Sequence, residues 1–166
     1  MHTRRSFVAR LAGMASLILV HDARADSLPK PFVLYDDELK NGWQNWSWAK
    51  TQLSVPAGNG KPIKVEGDPW SALALHHEPF STEGFSKLVF YINGGGAGGQ
   101  ELLVRAQAGG KIVETDFAIA PKAKTWAVVE VPLKDIAAAD RTVDGFCWQG
   151  KDKAYPPYYI TRIQLE

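Results

Sequence analysis

Three tryptophans fall within six residues, in the run Gly42-Trp43-Gln44-Asn45-Trp46-Ser47-Trp48. An indole is a large apolar plate with one N–H donor, and the C–H faces of sugar rings stack on such plates. If the run is a strand, Trp46 and Trp48 share one face and Trp43 has the opposite parity. One surface then feeds a core while the other offers rings to a ligand, and the turn-flanking Trp70 joins them from a neighbouring strand. Groups that hydrogen-bond sugar hydroxyls accompany the rings. Gln100 follows a glycine-rich turn where backbone can approach a ligand closely. Arg105 and Gln107 share the outward parity of a strand whose other side is Leu102, Val104 and Ala106. In the run 143–149, Phe146 and Trp148 have one parity, Cys147 and Gln149 the other. Trp148 and Gln149 both enter the candidate set, since a ring stacks and an amide both donates and accepts. His77 is the histidine placed to line such a site. The competing reading is a tryptophan-rich core beneath a solvated sheet face.

Other chemistries find less support. His76 and His77 are adjacent, so a strand sends them to opposite faces and they do not share one ion. The glycine-rich segment 93–99 lacks the Lys-Ser/Thr ending and following helix of a phosphate loop. There is no Gly-x-Ser-x-Gly elbow. Cys147, the single cysteine, lies in an apolar run without a neighbouring histidine and reads as a buried thiol. It also excludes an intramolecular disulfide. Glu114 and Asp116 share a parity and keep open a second function, a small glycan hydrolase or lyase using two carboxylates. A third is a structural or adhesion domain whose aromatics are all core.

The elements that position these residues are short apolar runs between turn signals. They cover residues 32–35, 43–53, 63–66, 70–77, 87–92, 101–108, 112–119, 126–133, 143–149 and 158–165. Gly109-Gly110 predicts a tight hairpin. Pro132 predicts a single helical turn after it. About ten short strands at spacings of roughly 8–12 residues predict an all-β fold, two packed antiparallel sheets in a jelly-roll sandwich. No linker or repeat interrupts the chain from residue 31 onward.

Several motifs now carry a resemblance. Residues 35–43 read Tyr-Asp-Asp-Glu-Leu-Lys-Asn-Gly-Trp, followed by Trp46-Ser47-Trp48; Gly95-Gly96, Gly98-Gly99-Gln100, Val131-Pro132-Leu133-Lys134-Asp135-Ile136, Gly145-Phe146-Cys147-Trp148-Gln149 and the closing stretch 159–165 complete the set. The chain resembles small β-sandwich modules of secreted bacterial proteins found beside glycoside hydrolases, of the galactose-binding-domain-like type to which many carbohydrate-binding modules belong. The resemblance implies a non-catalytic protein that binds a polysaccharide or oligosaccharide, with a separately encoded glycan-active enzyme as a further partner. It implies no cofactor beyond a structural calcium, which Asp36, Asp37 and Glu38 would help to hold. The family's last strand commonly reads Tyr-Ile-Asp-Asp-Ile. Here Thr161 and Arg162 replace the two aspartates, and a guanidinium cannot ligate a cation.

Residues 1–25 read as a targeting leader. Arg4-Arg5 precedes Phe7, residues 11–20 are uncharged and too short to span a bilayer, and Ala23-Arg24-Ala25 suits a signal peptidase. Cleavage after Ala25 leaves a single domain, residues 26–166, and the paired arginines resemble a twin-arginine export signal. The expectation is a periplasmic or secreted protein without a membrane span. Of 19 Lys and Arg residues, Arg4, Arg5, Arg10 and Arg24 lie in the leader; of 18 Asp and Glu residues, only Asp22 does. The remainder carries 15 basic and 17 acidic groups, a net charge of about −2, which offers no basic field to nucleic acid.

Overall fold

A computed structural model describes residues 27–166; the leader and its cleavage site lie outside them. The described chain is a two-sheet antiparallel sandwich. Its strands are β1 (Phe32–Asp36), β2 (Glu38–Leu39), β3 (Gln44–Asn45), β4 (Lys50–Gln52), β5 (Ile63–Gly67), β6 (Ala72–Ser81), β7 (Lys87–Asn93), β8 (Leu102–Ala108), β9 (Lys111–Ile112), β10 (Phe117–Ile119), β11 (Trp126–Pro132), β12 (Thr142–Gly150) and β13 (Tyr155–Leu165). A 3-10 turn, Leu133–Ile136, follows Pro132 as the sequence predicts.

One sheet has seven strands in the order β11-β7-β13-β1-β2, with β5 also on β13 and β4 on β5. The other has six, β10-β8-β12-β6-β3, with β9 on β8. β13 is the spine of the larger sheet. One of its edges pairs with β7, and the other pairs first with β5 and then with β1. No described helix is long and apolar enough to cross a membrane.

The core follows from parity. Leu88, Phe90 and Ile92 of β7 face Leu73 and Leu75 of β6, Val104 and Ala106 of β8, and Phe146 and Trp148 of β12; all are buried. Trp148 meets Phe90 edge to face at 5.3 Å, a favoured aromatic geometry. Trp43 is also core, packed on Phe32, Phe80 and Phe146.

The runs 43–53 and 112–119, each expected as one strand, are divided into two. Conversely, β6 and β13 pass through prolines, which the ladder tolerates only at bulges or edges. In β6, His76 pairs with Gly145 and Phe80 with Val143, so three residues including Pro79 oppose Asp144 alone. In β13, Tyr155 pairs with Gly67 and Tyr158 with Val65, so Pro156 and Pro157 together oppose Glu66. Both are bulges, where the missing N–H breaks no ladder bond. Gly109 and Gly110, with φ of 61° and 71°, form the hairpin that joins β8 to β9.

Candidate functional site

The outer face of the six-stranded sheet collects most of the residues chosen from the sequence. Three cross-strand rows build it. His76, Gly145 and Gln107 form one, Ala74, Cys147 and Arg105 the next, and Ala72, Gln149 and Leu103 the third. The middle of this face is small: Ala72, Ala74, Gly145 and Cys147. A Cβ on Gly145 would lie 2.5 Å from Gln107 Oε1 and 2.8 Å from Leu75 O, so glycine there lets the Gln107 amide lie across β12.

Trp46 and Trp48 stand on the β6 side of this floor. They are not in a regular strand, yet the Trp46 and Trp48 amides donate to Ala74 O at 2.9 Å and Ala72 O at 3.1 Å. The segment thus keeps strand parity beside β6. Trp43 turns inward and is 4% exposed, whereas Trp46 and Trp48 are 57% and 46% exposed. The Trp46 ring stacks on His76 at 3.5 Å, nearly parallel, and its Nε1 donates to Gln44 Oε1. One ring face is occupied and the other is open.

Trp70, 50% exposed, adopts φ +63°, an uncommon conformation for a bulky residue. Its amide donates to Lys151 O, and its carbonyl accepts from Trp48 Nε1 and from Gln149 Nε2, both at 2.9 Å. Gln149 Oε1 accepts from Arg105 Nη1 at 3.0 Å, and Arg105 Nη2 donates to Asp116 Oδ2 at 3.1 Å. A continuous polar chain therefore runs across the face from Trp48 through Trp70, Gln149 and Arg105 to Asp116. It spends the Trp48 N–H internally and leaves the ring faces for stacking. Beside Trp48 lies a hollow of about 310 Å³ walled by Lys50, Glu66, Asp68 and Tyr155. The Lys50–Glu66 ion pair at 2.7 Å lowers the Glu66 carboxyl and raises the Lys50 ammonium from their ordinary values.

Three candidates are corrected by their placement. Trp148 is fully buried; strand alternation cannot send both it and Gln149 to the surface, and the apolar parity goes to the core. Gln100 is also sealed, its Nε2 directed at the carbonyls of Gly94, Pro156 and Pro157 at 3.0–3.2 Å. It closes the proline bulge of β13, whose carbonyls would otherwise be buried without donors. His77 shares the inward parity of Leu73 and Leu75. It packs on Phe32, Trp43 and Phe80, with its ring nitrogens at Glu78 O and Asn41 O. The imidazole on the site face is that of its neighbour His76, half-buried against the Trp46 ring, as the shared parity of Ala72, Ala74 and His76 requires. Gln44 and Asp116 also belong to this face; Asp116 is one of the two carboxylates of the hydrolase reading, and Gln44 sits at the start of its run, where periodicity carries little signal.

Asp36, Asp37 and Glu38 do not converge as calcium ligands. Asp37 Oδ1 accepts from the Lys61 amide, and Glu38 pairs with Lys40, both at 2.6 Å. Among the described residues no three His, Cys, Asp or Glu side chains are grouped to hold a metal ion. Arg162 sits with φ +48° at a bulge of β13 and stacks on Tyr91. These residues do not fit a calcium. Cys147 lies in the site floor, where burial pushes its thiol up to about 12 against the opposing pull of Arg105.

No protein-family profile matches the chain. An endoglucanase of Dictyostelium discoideum is 26% identical over 142 residues, covering 78% of this chain and 20% of that protein. The chain thus spans about a fifth of the curated relative it matches. Solved structures of family 29 carbohydrate-binding modules share the sandwich. A variant of the module CBM29-2 superposes with a TM-score of 0.61 at 14% identity, covering 81% of this chain and 89% of that one. A second variant, complexed with cellulohexaose, has a TM-score of 0.61 at 14% identity and covers 80% and 87%. A third, complexed with mannohexaose, has a TM-score of 0.60 at 14% identity and covers 80% and 88%.

Proposed function

We propose that this is an exported, non-catalytic carbohydrate-binding protein, and that a glycan strand lies on the outer face of the six-stranded sheet. One observation carries the reading: Trp46 and Trp48 are half-exposed beside one sheet face, and the half-exposed Trp70 is tied to that face through its carbonyl, while the Trp46 and Trp48 N–H groups are satisfied within the protein. Exposed indoles held in fixed orientation stack on sugar faces at little entropic cost. Gln107, Gln149 and Asp116 supply donors and acceptors along one edge, with Arg105 holding the last two in place. The cellulohexaose and mannohexaose complexes of the structural neighbours favour an extended hexose polymer as the ligand class. The resemblance to galactose-binding-like modules and the leader's paired arginines support export, by the twin-arginine route, to the periplasm or beyond. A separately encoded glycan-active enzyme is the natural companion of such a binder.

A hydrolase reading needs two free carboxylates flanking a bond. On this face Asp116 is tied to Arg105, which favours binding over hydrolysis. The test is isothermal titration of residues 26–166 with cellohexaose and mannohexaose, with reducing-sugar release followed in parallel. A heat of binding that falls sharply in Trp46→Ala/Trp48→Ala, without product release, is the expected outcome. Release of reducing ends by the wild type and not by Asp116→Asn would refute the reading.

A further inference from the structure

We propose that the opposite side of the sandwich, the outer face of the seven-stranded sheet, is a second polysaccharide-binding surface, so that one molecule bridges two glycan strands. In its ligand class the proposal rests on the reading above; in its location it is independent. On this face Trp126, Asn93 and Tyr159 form one cross-strand row, and Val128, Tyr91 and Thr161 the next. Trp126 is 46% exposed, as open as Trp48 across the sandwich. Trp126 and Tyr159 flank β7, so their strands lie about 9–10 Å apart, two strand spacings. That is close to the length of one disaccharide unit in an extended chain of β-linked hexoses. The rings therefore suit alternate sugars, with the Asn93 amide between them.

The surface is concave and built. A furrow of about 470 Å³ lies between Trp126, Tyr91 and the loop 57–62, and a second hollow of about 310 Å³ continues it past Trp126 to Tyr159 and Lys124. Both walls are pinned by backbone hydrogen bonds. Val55 N donates to Pro62 O and Ala57 N to Gly60 O on one side; Gly94 N donates to Lys122 O and Lys124 N to Gly95 O on the other. The Arg162 guanidinium is held 5.1 Å over the Tyr91 ring, and Asp36 and Asp37 line the same furrow. Rings alternate with amide, hydroxyl and guanidinium groups, and charges of both signs are present. That pattern fits the apolar faces and hydroxyl edges of a neutral glycan better than a protein partner, whose stable contact needs a patch of about 800 Å² with an apolar centre. The paired sheets stand about 10 Å apart, so no single strand touches both faces.

The experiment is native affinity electrophoresis of residues 26–166 in gels holding hydroxyethylcellulose or galactomannan. The three proteins are the wild type, Trp46→Ala/Trp48→Ala, and that double variant with Trp126→Ala added. Circular dichroism and light scattering confirm fold and oligomeric state. The expected result is a double variant still retarded, at least threefold less than wild type, and a triple variant that migrates as in a polysaccharide-free gel. A double variant that runs free while the wild type is retarded overturns the second site and leaves the first intact. A wild type that runs free in both polymers overturns both. Retardation unchanged by Trp126→Ala, or a change only in oligomeric state, also overturns the second site.

Discussion

The two outer faces of this sandwich carry similar rings in different settings. On the six-stranded sheet the exposed indoles line the edge beside β6, roughly along the strand direction, and a chain of side-chain hydrogen bonds ties them to Gln149, Arg105 and Asp116. On the seven-stranded sheet the rings are arrayed across the strands, and the walls beside them are held by backbone bonds. Rigidity on the first face therefore depends on particular side chains, while on the second it depends on loop conformation. Point substitutions should disturb the first face more readily.

The largest effect is expected beneath both. Trp148→Ala opens a cavity between the sheets and should lower unfolding free energy by about 3–5 kcal/mol, read as a shifted urea midpoint. A loss under 1 kcal/mol would show that the two faces do not share a core. Next, Trp48→Ala should weaken hexasaccharide binding by about 2 kcal/mol, roughly thirtyfold, with the urea midpoint unchanged. A fall in stability instead would make Trp48 a packing residue. Arg105→Ala leaves Gln149 and Asp116 without their donor and should cost about 1 kcal/mol of affinity. Trp126→Ala alone should change hexasaccharide affinity least, because the first face remains; an effect equal to that of Trp48→Ala would reverse the ranking.

The buried acids sharpen the same comparison through pH. Burial raises the Cys147 thiol from 9.0 to about 12, and Tyr158 lies well above its usual 10.0. Folding favours the protonated form of each. Their stabilising contribution is therefore complete below pH 9 and is lost as pH rises toward 12. Melting temperature should decline across that range, and iodoacetamide should leave Cys147 unmodified at pH 8 until urea is added. Rapid native alkylation would mean that the floor beneath Trp46 opens.

Much of this architecture was legible in the chain because period two is a strong signal where both faces of a strand differ in polarity. β8 shows it: Leu102, Val104 and Ala106 turn in, and Arg105 and Gln107 turn out, as read. The same alternation placed Trp43 against Trp46 and Trp48. At Trp148 and His77 it points inward, and their side chains follow it despite being types suited to a sugar site. Gln100 is a different case. Its role depends on a proline bulge in a strand 56 residues away, and no local pattern announces a distant carbonyl. The division of 43–53 was equally hidden, since the break follows from how the segment docks on β6.

β13 binds β7 along one edge and both β5 and β1 along the other. During vectorial synthesis those three segments have no common neighbour until residues 155–165 emerge. Assembly of the larger sheet is consequently a late event, governed by contacts of long sequence separation and slow on that account. A ribosome stalled before Tyr155 would hold a chain with one sheet able to form and its apolar side uncovered, a substrate for holding chaperones.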